Sequence, residues 1–234
     1  MLSCVRKTGK ALLVHEDALT AGFGAEITRQ AFTHLDAPVE RLPLLLQLPG
    51  VSLITALTIL AAIGDISRFP DAKHLVGYAG LGARIHDSGQ TSRTGRITKA
   101  GRRDLRAAMV EAAQTAANTH PHWKAELARL EPRLGRNKAI IAIARKLLVT
   151  VWHVLSQNIA DRHAEPERIA RKFLQVAYLF GPSRRPAAQS PAAYTRQQLD
   201  RLGIGQHLRR IPWGSKKKPI PLPPSALPDG IEAS

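Results

Sequence analysis

A chain of 234 residues can build one large core or two small domains. With 44% hydrophobic but only 5% aromatic residues, that core must consist mostly of Leu, Ile, Val and Ala, which favours helices. The 34 Lys+Arg against 18 Asp+Glu give a formal net charge of +16. Such a surface attracts polyanions, nucleic acid ahead of an anionic membrane, although a basic protein with no specific partner has the same composition. One cysteine, Cys4, excludes an intrachain disulfide and a thiolate-rich zinc site, and it fits a reducing compartment. The apolar run at 11–14 is too short for a signal peptide. The stretch at 51–63 is too short to span a bilayer. A soluble, cytoplasmic protein with no membrane partner is therefore expected.

In chain order, residues 1–41 combine a strand pattern at 11–14, a turn at Gly22-Phe23-Gly24 and a brief helical pattern to about His34. Leu53, Ala56, Leu57, Leu60 and Ala61 then recur at helical spacing over 52–63, and Gly64 closes that helix. Short strands are expected near Ile85 and Ile97, flanking a basic loop. Thr98 is the expected N-cap of a helix to about Asn118, with Leu105, Ala108, Met109, Ala112 and Ala113 on one face. His120-Pro121-His122 reads as a loop. A helix opening at Asn137 carries a broad apolar stripe from Ile140 to Leu155, suited to burial between other helices. A further helix is expected over 166–179. The Pro-, Ser- and Lys-rich chain from Ser215 predicts disorder. The expected fold class is mainly α: a helix-hairpin-helix plus a helical bundle with a basic loop, a small α/β fragment at the N-terminus and a disordered C-terminal tail. The expected domains are 1–41, 42–160, 161–214 and 215–234.

Three features could carry chemistry. Leu48-Pro49-Gly50-Val51, with Ser52 after it, has the form of a helix-hairpin-helix turn. The unpaired amides at the start of its second helix could hold a DNA phosphate without a charged side chain; the same residues also make an ordinary tight turn. Between Gly80 and Arg106 the chain gathers Arg84, Arg93, Arg96, Lys99, Arg102, Arg103 and Arg106, opposed only by Asp87 and Asp104. Arginines around small residues can neutralise phosphates, and cations at a helix start oppose its dipole, so an anion is expected there. The alternative is a solvated basic loop. Ser88 lies in this loop beside His86 and Asp87; from spacing alone it reads as a turn-forming residue ahead of a catalytic one, because a serine nucleophile needs a base or strong electrostatic help. The hairpin turn and the basic loop are expected to form one seat for a nucleic-acid backbone. No paired carboxylates or metal-ligand spacing stand out.

The central stretch, about 42–158, resembles the C-terminal domain of DEDD-type transposases of the insertion sequence 110/116/902 family. The resemblance rests on Leu48-Pro49-Gly50-Val51, Thr55-Ala56, Ile63-Gly64-Asp65-Ile66-Ser67-Arg68-Phe69, Tyr78-Ala79-Gly80-Leu81, Asp87-Ser88-Gly89, the run from Gly95 to Gly101, Leu105-Arg106 and Ala144-Arg145-Lys146-Leu147-Leu148. It implies an enzyme that cuts and rejoins DNA. A serine of the C-terminal domain would be the nucleophile, working with four acidic residues of a RuvC-like domain that hold magnesium, and an element-encoded RNA would guide target choice. Carried over, Ser88 is the implied nucleophile and Ser92 the fallback. Arg84, Arg93, Arg96, Lys99, Arg102 and Arg106 would clamp phosphates. A complete enzyme would be a homo-oligomer.

Through Val5-Arg6-Lys7-Thr8-Gly9-Lys10, His15-Glu16-Asp17, Gly22-Phe23-Gly24-Ala25-Glu26 and Leu35-Asp36-Ala37-Pro38-Val39, residues 3–41 instead resemble the C-terminal end of the 2-oxoacid dehydrogenase E1 beta subunit, in its transketolase C-terminal domain, without a thiamine diphosphate motif. They supply no acidic tetrad. The expectation is a chimera that binds no cofactor of its own, with magnesium belonging to the RuvC-like domain, and that is inactive alone. The alternatives are a non-catalytic basic DNA-binding module and a remnant of a dehydrogenase subunit.

Overall fold

The elements of this computed structural model follow the apolar periodicity of the chain. In order they are α1 (Pro38–Leu46), α2 (Leu53–Ile63), a 3-10 turn (Ile66–Arg68), α3 (Ala72–Tyr78), β1 (Ala83–Ser88) and β2 (Thr91–Ile97). There follow α4 (Arg103–Thr119), α5 (Pro121–Leu134), α6 (Arg136–Gln157), α7 (Pro166–Phe180), α8 (Pro191–Leu202), β3 (Arg210–Trp213) and β4 (Lys218–Pro221). The structure describes residues 38–88, 91–180, 189–213 and 218–228; the strand, turn and helical pattern expected within 1–37 lie outside them. The fold is mainly helical, with two antiparallel two-stranded ribbons among the described residues. It divides into two compact units, Leu48–Asn158 and the pair of segments Met1–Gln47 and Ile159–Ser234.

The Leu48–Asn158 unit is organised by α4 and α6. Leu105, Ala108, Met109, Ala112, Ala113, Ala116 and Ala117 make the buried face of α4, and its run of alanines lets other backbones come close. Ile143, Ala144, Leu147, Leu148 and Val151 of α6 are fully buried. Burying each large aliphatic side chain contributes about 1.5–3 kcal/mol. The indole Nε1 of Trp152 donates to Phe69 O at 3.0 Å, fixing α6 to the turn before α3. By length and composition α6 could cross a membrane, but α3, α4 and α5 all pack on it. The apolar stripe is core, as its breadth predicted.

Two boundaries differ from expectation. Residues 98–102 do not start a helix at Thr98, because their amides bond back to residues 78–82; α4 starts at Arg103. His120-Pro121-His122 is no loop: His120 is the N-cap of α5 and Pro121 its first residue. There proline's fixed φ and missing N–H are tolerated.

The second unit is built from separated stretches of chain. The side-chain amide of buried Gln47 donates to Ile159 O at 3.1 Å and accepts from Asp161 N at 2.9 Å. Lys172 Nζ donates to Leu46 O at 2.9 Å, closing the end of α1. β3 pairs with β4, Ile211 opposite Ile220. Disorder was expected from Ser215, yet residues 218–228 are held in place. Arg196, 4% exposed, donates from Nε to Pro223 O at 2.9 Å and from Nη1 to Gly205 O at 2.9 Å. Asp200 receives Ser225 Oγ at 2.7 Å and Ala226 N at 3.1 Å. The segment is thus ordered by pairing with β3, by buried Leu222 and by polar contacts from α8. Residues 229–234 lie outside the described residues.

Candidate nucleic-acid interface

The basic segment is a β-ribbon standing on a tied base. β1 and β2 pair with Ile85 opposite Thr94, His86 opposite Arg93, Asp87 opposite Ser92 and Ser88 opposite Thr91. The register slips once between Ala83 and Ile85, where β2 spends an extra residue, as in a β-bulge. Opposed residues of an antiparallel pair share a face, and the faces alternate along each strand. Ser88, Thr91, His86 and Arg93 therefore fall on one face of the ribbon; Asp87, Ser92, Ile85 and Thr94 fall on the other. Ser88 stands at the end of β1, beside the two residues that join the strands. The side chains of Arg84, Ser88, Arg93 and Arg96 are not among those the structure describes.

The base is fastened by hydrogen bonds from Thr98 N to Gly82 O at 2.8 Å, Lys99 N to Gly80 O at 3.1 Å and Arg102 N to Tyr78 O at 2.8 Å. Two glycines permit this approach. A Cβ on Gly101 would lie 2.2 Å from Tyr78 O, and one on Gly80 would lie 3.0 Å from Ala100 O. Arg106 Nη1 donates to Ala79 O at 3.0 Å and to Lys99 O at 3.2 Å, pinning both sides of the base to α4. Beneath it, the Arg68 guanidinium lies over the Phe69 and Tyr78 rings at 5.2 and 5.3 Å and donates from Nη1 to Ile63 O at 3.3 Å. Tyr78 Oη donates to Ala62 O at 3.3 Å.

Charge at the start of α4 is arranged differently from the sequence expectation. Arg102 forms a two-pronged pair with Asp104, Nε to Oδ1 at 2.9 Å with Nη2 on Oδ2. Hydrogen bonding to the Arg102 guanidinium holds the Asp104 carboxyl below the usual carboxylate range, and the same bond raises Arg102. The anion that this helix start calls for is thus Asp104, inside the first turn, where a carboxylate meets the dipole favourably. Lys99 and Arg103 are exposed, and Lys99 takes a left-handed backbone, φ 54°. Of the expected phosphate clamps whose side chains are described, Lys99 and Arg103 face solvent, while Arg102 and Arg106 are engaged in holding the base.

The hairpin turn lies elsewhere. Gly50, φ +75°, presses on the middle of α4, and a Cβ there would meet Ala112 O at 2.0 Å and Ala116 N at 2.8 Å. Val51 is buried and Pro49 half-buried. Ser52 caps α2, its hydroxyl accepting from Thr55 N at 3.2 Å. At about 1.5 Å rise per residue, Ala112 lies about 13 Å along α4 from Arg103. The single seat expected from the sequence is therefore two separate features on one helix, because the glycine turn is spent on close helix packing. Among the described residues, no three His, Cys, Asp or Glu side chains gather as metal ligands would.

Residues 42–128 match the family model of the Transposase IS116/IS110/IS902 family. The match takes in the hairpin turn, α2, the whole ribbon, its base and α4. The central segment is similar to transposases of this family. Similar curated proteins include the pilin gene-inverting protein of Moraxella bovis, 38% identical over 123 residues, covering 51% of this chain and 38% of that protein. The transposase for insertion sequence element IS1111A of Coxiella burnetii is 33% identical over 116 residues, 47% of this chain and 32% of that protein. The chain thus spans well under half the length of these relatives. A 45-residue stretch is also 42% identical to the 2-oxoisovalerate dehydrogenase subunit beta of Pseudomonas aeruginosa, 18% of this chain and 13% of that protein. Within the matched segment, the sequence pointed to the glycines and arginines of the ribbon and its base but not to the fastening role of Arg106 or the Arg68–Tyr78 stack. The signal was present: Gly80 and Gly101 flank a run whose two ends must meet.

Proposed function

We propose that the Leu48–Asn158 unit is the DNA-backbone-handling part of an insertion-sequence transposase, presenting Ser88 on a ribbon braced against α4. The observation that carries this reading is the family match over 42–128, which covers every element that builds and fastens the ribbon. In this reading Lys99 and Arg103, with Arg84, Arg93 and Arg96, contact phosphates, while Arg102 and Arg106 keep the ribbon base rigid. Phosphate contacts position a duplex without reading its sequence. Of the hairpin turn, exposed Ser52 at the start of α2 would give a second backbone contact apart from the first, while Pro49, Gly50 and Val51 shape the turn that packs on α4.

Chemically, Ser88 Oγ would attack a DNA phosphorus. The Oγ–P bond forms as the bond from phosphorus to a bridging sugar oxygen breaks, and that oxygen leaves with a proton as a free hydroxyl. Ser92, opposite Asp87 in the ribbon register, is the alternative nucleophile. The family's magnesium would be held by four carboxylates. In this reading those carboxylates belong to a RuvC-like domain outside Leu48–Asn158, and this unit cuts DNA only together with it. RNA guidance and oligomeric assembly would likewise belong to the complete enzyme.

The test is to incubate the chain with element-end DNA, with and without an added RuvC-like domain, and look for a protein–DNA covalent adduct. An adduct lost in Ser88→Ala supports the assignment. An adduct that survives Ser88→Ala but not Ser92→Ala moves the nucleophile to the other face. Unchanged duplex affinity after Lys99→Ala with Arg103→Ala, together with a flat salt response, overturns the interface itself, since phosphate-dominated binding weakens with a log–log slope of about −0.9 per contact. A second reading, that part of the chain derives from a dehydrogenase subunit, is favoured by the 45-residue match alone; it predicts association with a dehydrogenase partner chain.

A further inference from the structure

The unit formed by α1 and residues beyond Ile159 carries an aromatic surface that the central unit's function does not use. Tyr178, on the last turn of α7, is 53% exposed, and its neighbour Leu179 is 43% exposed. The Tyr178 ring does not stand alone: it lies against Trp213, the last residue of β3, with centroids 5.6 Å apart and planes 34° apart. Trp213 is half-buried, anchored by a strand that packs on α7. Arg171 and Gln175 precede Tyr178 by seven and three positions, both exposed. At that spacing they line one side of the helix with it.

A ring held firmly on one side and open on the other stacks readily on a base, because every base has a π-face. Arg171 lies about 10 Å along the helix from Tyr178. An unpaired strand running along the helix from Tyr178 would carry its phosphates past the Arg171 guanidinium, which can neutralise them. We propose that Tyr178, backed by Trp213 and flanked by Arg171, is a stacking platform for an unpaired DNA strand. The choice of DNA rests on the reading of the central unit as a DNA-backbone binder; the platform itself stands on its own geometry.

The experiment uses the full chain and a short fluorescent oligothymidine, which cannot pair with itself. Tyr178→Ala weakens binding about tenfold, Tyr178→Phe retains it, and Arg171→Glu weakens it and lowers its salt dependence. Photo-crosslinking of a 4-thiothymidine probe, mapped by mass spectrometry, yields adducts on Tyr178 or Trp213. Tyr178→Ala also loses the ring contact with Trp213, so binding is measured below the melting temperature of each variant, and Tyr178→Phe, which keeps that contact, is the folding control. Failure of the central reading is distinguishable: Lys99→Ala with Arg103→Ala acts on duplex binding and leaves the Tyr178 dependence of oligothymidine binding intact. Unchanged affinity in Tyr178→Ala overturns the proposal. So does tighter binding of the matching oligouridine, or a Tyr178-dependent self-association in place of strand binding.

Discussion

Gly50 has no room for a side chain. Its φ of +75° disfavours any other residue, and a Cβ would run into the Ala112 carbonyl. Gly50→Ala should therefore cost about 2–4 kcal/mol, from backbone strain and from pushing α2 off α4. A thermal melt checks this, and a loss below about 0.5 kcal/mol would contradict the packing described. Glu126 shows how a single charge holds two helices. It accepts from Arg129 of its own helix at 2.9 and 2.8 Å and also pairs with Lys146 of α6. The Arg129 guanidinium, with Lys146, pulls its carboxyl down to about 2, against an ordinary 4.5. A depressed carboxyl stabilises the fold fully above its unfolded value and loses that contribution as the folded form protonates. Stability should thus fall between about pH 4.5 and 2, and Glu126→Gln should flatten that limb while costing about 1–2 kcal/mol at neutral pH. Melts across this range would decide it.

At the level of elements, the start of α4 separates structural from available cations. Arg106 bonds two carbonyls across the ribbon base, whereas Arg103, one turn earlier, is exposed. Arg106→Ala should lower stability by about 1–3 kcal/mol by leaving those carbonyls without a charged donor. Arg103→Ala should leave the melt unchanged, weaken duplex binding and reduce the salt slope by about one contact. Equal effects of both variants on stability would refute this division of labour. The helices themselves were legible in the chain: α2 and α6 follow apolar periodicity, and Gly64 ends α2 as expected. The ribbon was legible as two short strands near Ile85 and Ile97. What could not be read was tertiary. Nothing local says that the amide of Arg102 will seek Tyr78 O, delaying α4 from Thr98 to Arg103. Nothing local says that Asp104 will answer Arg102, or that Gly50 is needed for packing. The candidate site was therefore found by composition and motif, and its internal wiring came only with the fold.

Across the whole molecule, charge acts through burial as well as surface potential. Burial beside Leu46, with Arg168 nearby, lowers Lys172 from 10.5 to about 8. Below pH 8 the ammonium is present in folded and unfolded chains alike, and its desolvation penalty is fully felt. Between about 8 and 10.5 the folded form sheds the proton first, so the penalty fades and stability rises. Lys172→Met should abolish this rise, measured as the melting temperature against pH relative to the parent chain; a rise that persists in the variant would assign it to another group. The C-terminal segment gives the complementary lesson. Its composition predicts disorder, yet Arg196 and Asp200 collect its backbone and hydroxyl groups, a long-range satisfaction that no local pattern encodes.

Gln47 bonds residues 112 and 114 positions further on. During synthesis at about 5–20 residues per second, α1 leaves the ribosome roughly 6–20 seconds before the chain that completes its unit. In that interval the Leu48–Asn158 stretch is fully made and free to fold. The nascent protein is thus assembled from the middle outward, and a message cut short after Asn158 would yield a finished central unit trailing a helix with nothing to close on.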